Sequence, residues 1–135
     1  EPGKLNTPEA AKFGPEGSLY VTDLKNDRLQ VFDASGKLLR VWGKSGSAPG
    51  EFKSPSGLAI DRHGYVYVAE IGNDRVQVFD AQGTFIAAFG SKGTGTGQFM
   101  NLHGLAVDDE TDMIFVGDTG NNRVQVFKIS RARTQ

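Results

Sequence analysis

The stretch Asn26-Asp27-Arg28-Leu29-Gln30-Val31-Phe32-Asp33 returns as Asn73-Asp74-Arg75-Val76-Gln77-Val78-Phe79-Asp80 and again as Asn121-Asn122-Arg123-Val124-Gln125-Val126-Phe127. The copies lie 47 and then 48 residues apart. A fixed period of that length marks a repeat architecture, in which one structural unit is copied along the chain.

The second copy shows what that unit is. Gly57-Leu58-Ala59-Ile60-Asp61 is a short apolar run that ends in an Asp-x-x-Gly turn signal, Asp61 to Gly64. Tyr65 to Glu70 follows, rich in aromatic and β-branched residues, then the polar connection Ile71 to Asp74 and a second apolar strand, Arg75 to Asp80. A further Asp-x-x-Gly turn, Asp80 to Gly83, leads into Thr84-Phe85-Ile86-Ala87-Ala88-Phe89. No stretch keeps a helical period, and short strands between regularly spaced turns predict an all-β chain. Four antiparallel strands per repeat, a to d, make a propeller blade. Both faces of a blade pack on neighbours, which accounts for strands that are apolar on both sides.

Copy one keeps this plan with Thr7 to Phe13 and Leu19 to Asp23, and copy three keeps it with Gly104 to Asp108 and Met113 to Asp118. Copy three then stops after strand c, with no equivalent of residues 84–89. The expectation is three blades, at about 2–43, 49–90 and 96–130, two of them four-stranded and the last three-stranded, with 131–135 as a tail. Gly- and Ser-rich stretches, Gly43 to Ser54 and Gly90 to Asn101, separate the copies, and the run Gly90 to Gly97 is read as a flexible inter-blade loop. The opening Glu1-Pro2-Gly3 falls on a repeat junction, because Pro2 to Leu5 aligns with Pro49 to Phe52, so the chain is read as a segment cut from a longer protein or as one trimmed to its repeats.

Composition narrows the partners. The net charge is −1 with both signs interspersed, which argues against a broad phosphate-binding surface and hence against nucleic acid. Without cysteine there is neither a disulfide nor a thiolate metal site. No apolar run is long enough to span a membrane as a helix.

The pattern Pro-x-Gly-Leu-Ala-x-Asp (Pro55 to Asp61), Tyr-Val-x-acid (Tyr67 to Glu70) and Asn-x-Arg-x-Gln-Val-Phe (Asn73 to Phe79) resembles the NHL-repeat family, over roughly residues 2–130. The resemblance implies that these three blades are half of a six-bladed β-propeller. It does not imply one function, because propellers of this kind serve very different ends.

An acid (Asp23, Glu70, Asp118) and an Arg (Arg28, Arg75, Arg123) flank the b–c connection in every copy. A binding site on a propeller needs asymmetry between blades, so a pair found in all three is read as a structural tie. Asn26, Asn73 and Asn121 are read as turn formers that tolerate left-handed backbone. Positions that differ between copies are the better candidates for a site. In a blade of this kind the d–a and b–c connections emerge on one face, around the mouth of the central channel. There lie Glu9, Ser56 and His103, equivalent positions before strand a, and Lys25, Ile71 and Thr119 in the b–c connection.

One branch that resembles this repeat, the peptide-amidating lyases, holds zinc with histidines at such positions, and His103 matches one of them. The aligned positions are otherwise Glu9 and Ser56, and Asp27, Asp74 and Asn122, while His63 lies in an a–b turn on the opposite face. A zinc site wants three protein ligands, so neither a metal nor another cofactor is expected. No Gly-x-Ser-x-Gly elbow is present, and the Gly90 to Gly97 run lacks the Gly-Lys-Ser/Thr ending of a phosphate loop.

The leading expectation is a non-enzymatic scaffold that binds a protein, peptide or glycan through its loop-rich face. A lyase- or lactonase-like enzyme with its site at the channel mouth is the alternative, followed by an RNA-binding domain. Three blades would leave two apolar ends exposed, so self-association of two chains into a six-bladed ring is also expected.

Overall fold

The computed structural model describes residues 1–129. The first sheet has the order β1 (Pro8–Phe13), β2 (Leu19–Asp23), β3 (Arg28–Phe32), β4 (Leu38–Trp42). The second repeats it with β5 (Pro55–Ile60), β6 (Val66–Glu70), β7 (Arg75–Phe79) and β8 (Phe85–Phe89). After the two-residue strands β9 (Ser91–Lys92) and β10 (Gln98–Phe99) comes a three-stranded sheet, β11 (Leu102–Asp108), β12 (Met113–Asp118) and β13 (Arg123–Lys128). Each of these three sheets is antiparallel between chain neighbours, and the expected strand count holds among the described residues. The predicted tail, 131–135, lies outside them.

The core sits between the sheets rather than within one. Tyr20, Leu29 and Val31 of the first sheet bury against Leu58, Val66, Val68 and Phe79 of the second. Tyr67, Ala69 and Val76 on the other face of the second sheet bury against Leu105, Ile114 and Val116 of the third. Strand residues alternate between faces, so β6 and β7 send successive side chains into two different seams. Burying one such side chain is worth about 1.5–3 kcal/mol, so each seam is held by many modest terms.

The first strands, β1, β5 and β11, lie closest to one another, and the sheets fan outward from them. Gly57 permits that approach. A Cβ there would collide with the His103 carbonyl oxygen of the neighbouring blade. Aromatic contacts fill the outer part of the first seam, where Trp42 meets Tyr20 at 6.2 Å and Phe79 at 5.9 Å between ring centroids.

Candidate functional site

A buried carboxylate organises each blade. Asp23, Glu70 and Asp118 are all fully buried. Each accepts a hydrogen bond from the Nε of its blade's arginine: Arg28 at 2.8 Å, Arg75 at 2.7 Å and Arg123 at 2.8 Å. The Nδ2 of Asn26, Asn73 or Asn121 donates a second, at 2.9, 2.7 and 2.9 Å. The backbone N–H of Asn6, Lys53 or Met100 donates a third. Gln30, Gln77 and Gln125 complete the set. Their Nε2 donates to the carboxylate and to the carbonyl of Lys4, Glu51 or Gln98. Their Oε1 accepts from the N–H of Gly3, Gly50 or Gly97.

Each carboxylate thus gathers the arginine, asparagine and glutamine of its own blade and fastens them, through one backbone N–H, to the chain segment that enters the blade. The structural reading of the acid–arginine pair is correct. The motif by itself gives the glutamine no role, and the signal for one is its place between two leucine or valine positions in three strands, which marks a buried hydrogen-bonding duty.

Burial by itself would raise the Asp23 and Asp118 carboxyls, but their N–H, amide and guanidinium donors outweigh it and hold both below the ordinary aspartate value. The asparagines need correction. The left-handed residue is the next one along, Asp27, Asp74 or Asn122, with φ of 53°, 51° and 54°. A short polar side chain tolerates that conformation, and it leaves Asn26, Asn73 and Asn121 pointing at the carboxylate.

The Gly90 to Gly97 loop also departs from expectation, and the preceding inter-blade loop is built in the same way. Both are pinned rather than loose. The Gly93 N–H donates to the Phe99 carbonyl at 3.1 Å, and Asn121 and Arg123 donate to the carbonyls of Gly93 and Gly95 at 2.9 and 2.8 Å. Phe52 and Phe99, which end the two loops, are fully buried.

At the inner rim, the antiparallel register of the first strand breaks in each blade, between Pro8 and Ala10, Pro55 and Leu58, and Leu102 and Leu105. Glu9, Ser56 and His103 sit in these irregularities, so their side chains leave the regular alternation. The structure gives them three different fates. Glu9 is exposed and His103 is half-buried.

Ser56 is 2% exposed, and its hydroxyl lies 3.2 Å from the Ala69 carbonyl and 3.1 Å from that of Leu102 in the next blade. It is therefore a tie between blades and not a rim contact, because its short side chain is covered by the neighbouring first strand. Thr22 makes the matching tie one blade earlier, donating to the Ser56 carbonyl at 3.0 Å. Lys25 and Thr119 are exposed and Ile71 is half-buried. Lys25 and Thr119 lie in single 3-10 turns, Leu24–Asn26 and Thr119–Asn121.

Among the described residues, no three His, Cys, Asp or Glu side chains converge as metal ligands. His63 is exposed in the turn after β5. A separate cavity of about 420 Å³ opens between the outer parts of the second and third sheets. Tyr65, Tyr67, Val78, Phe89, Ile114 and Phe127 are among its walls. In the preceding seam the corresponding space is taken by Phe85 of a fourth strand and by the Trp42 ring.

Sheets fanned about their first strands, joined d to a and tied by a repeated carboxylate cluster, define a β-propeller segment. A family model described as a 6-bladed beta-propeller matches residues 62–133, and one described as SMP-30/Gluconolactonase/LRE-like region matches residues 3–94. Each covers more than half of the chain, which belongs to these six-bladed β-propeller and SMP-30/gluconolactonase/LRE-like families. The narrower likeness to NHL repeats rests on the motif alone. No curated protein matches the chain. Among solved structures, Kuenenia stuttgartiensis hydrazine synthase is similar in fold, at a TM-score of 0.64 and 17% identity, over 94% of this chain and 37% of that one. The present chain therefore spans well under half of that relative's length.

Proposed function

We propose that the chain is a binding scaffold that takes a protein or peptide partner on the face carrying the inner rim and the pinned loops. One observation carries this reading. The three carboxylates that recur in every blade are fully buried and engaged within their own blades, whereas Glu9, Lys25, His103 and Thr119, which differ from copy to copy, reach the surface of that face. Loops held by backbone hydrogen bonds present such residues with little ordering left to do on binding.

A phage-displayed peptide library selected on the whole chain tests it. Selected peptides should lose binding to a Glu9→Ala, Lys25→Ala, His103→Ala variant and keep it to His63→Ala, on the opposite face. Retention by the rim variant would refute the assignment.

The second reading is a lactonase-like hydrolase, favoured by the family match over residues 3–94. Opening a lactone ring needs a general base or a metal-activated water at the channel mouth, and Glu9 is the exposed carboxylate at that rim. A pH-indicator assay on a sugar lactone, with and without added divalent cation, separates the two. Turnover that disappears in Glu9→Gln would replace the scaffold reading with the enzymatic one.

A further inference from the structure

We propose that the two ends of the three-blade arc are halves of a single joint, and that a second copy of this chain fills both, closing a six-bladed ring. Blade three of each copy packs on blade one of the other. The inference is independent of what the rim binds.

The two seams inside the chain are the template. In the first seam, Tyr20, Leu29 and Val31 are at most 1% exposed. In the second, Tyr67 and Val76 are at most 2% exposed. Their counterparts on blade three are Phe115, Val124 and Val126, and these are 36%, 64% and 51% exposed. The reverse side of the joint shows the same contrast. Phe52 and Phe99 are fully buried where they enter the seams, while their counterpart Leu5 is 41% exposed. Ile60 and Val107 are partly covered, while their counterpart Phe13 is 69% exposed. Each residue left bare at one end therefore has counterparts that, inside the chain, are covered by counterparts of the residues bare at the other end.

The backbone agrees. Gly57 lies so close to the His103 carbonyl that a Cβ could not fit, whereas its counterpart Gly104 has nothing within 4 Å of a built Cβ. That open space is the unfilled side of the joint.

A partner must offer both a blade-one back and a blade-three front, set three blade steps apart. A second copy does so by construction. The family model has six blades and the structure describes three, so two copies complete the count with two identical junctions about a two-fold axis. The net charge of −1 puts little repulsion between copies. In the ring, His103 of one copy comes beside Glu9 of the other, by the step that places Ser56 beside Leu102 and His103. The channel mouth is then built from both chains.

Light scattering on the eluting chromatographic peak, at low micromolar chain, tests the joint. The wild type should run at twice the 14.5 kDa chain mass. Val124→Arg on one end and Phe13→Arg on the other should each run at the single-chain mass with an unchanged circular dichroism spectrum, since both side chains face solvent within one chain. If either variant fails to fold, Gly104→Trp, placed in open space, supplies the same block. A wild-type monomer, a dimer indifferent to one of the two ends, or assemblies that keep growing with concentration would each overturn the closed ring.

Discussion

Arg75 Nε lies 2.7 Å from Glu70 Oε2, and the carboxylate it holds is completely shielded from solvent. The same guanidinium reaches the Ser47 and Glu51 carbonyls at 2.8 Å each, so a single side chain joins the second and third strands of blade two to the loop that enters it. Removing it leaves a buried charge short of its cation. Arg75→Ala should cost about 3 kcal/mol, the lower end for a broken buried pair, because Asn73, Gln77 and the Lys53 N–H still serve the carboxylate. Urea unfolding would read this as a lowered midpoint, and an unchanged midpoint would mean the pair is ornamental.

Acid should loosen the blades. Asp23 and Asp118 have carboxyls that burial pushes up and that their donors bring, on balance, below the ordinary value. A carboxyl depressed in the folded state adds stability that is fully present above its unfolded value, near pH 4, and is lost as pH falls through its folded value. Stability from these two groups should be flat above about pH 5 and decline steadily below about pH 4. A denaturation series across that range checks the direction. Replacing Asp118 with Asn should flatten part of the decline.

Gly57→Ala should disturb the seam between blades two and three. The new methyl group meets backbone, the His103 carbonyl, and backbone moves less readily than a flexible side chain. A loss of about 1–3 kcal/mol is expected. In a single-chain Val124→Arg background, Gly104→Ala, with open space around it, should stay within about 0.5 kcal/mol. Equal effects of the two glycine substitutions in that background would contradict the packing described for the first strands.

Trp42, the one tryptophan, reports on the first seam. It lies 5.9 Å from the Phe79 ring and 6.2 Å from Tyr20. Phe79→Ala should cost about 3–5 kcal/mol as a buried aromatic deletion and shift the Trp42 emission to longer wavelength. Loss of stability without a spectral change would place Trp42 outside the seam.

The strand plan was readable because the motif Asn-x-Arg-x-Gln-Val-Phe recurs at a near-constant spacing, and because Asp-x-x-Gly turns such as Asp61 to Gly64 and Asp80 to Gly83 join neighbouring strands. Bury-both-faces packing followed from the lack of alternation in Tyr65 to Glu70. Ser56 was not readable. A serine before a first strand looks like a surface residue until the neighbouring blade is set over it, and the contact that covers it comes from Leu102, 46 positions away. The loops escaped for a related reason. Glycine-rich sequence suggests freedom, but Gly93 and Gly97 hold their place through bonds to Phe99 and Gln125, partners that composition does not reveal. The rim is similar: its positions could be aligned from the repeat, while their accessibility depended on packing between copies.

The loops carry one more consequence. Gly46 and Gly93 share a φ of 154°, and each lies in a turn that folds back by a parallel pairing, Ser45 with Phe52 and β9 with β10. The entry loop of each repeat is clamped by the cluster of that same repeat, so the angular step from blade to blade is written inside every unit. Duplicating or deleting a whole unit would then lengthen or shorten the arc while leaving its curvature untouched, and whether a ring forms becomes a matter of counting units.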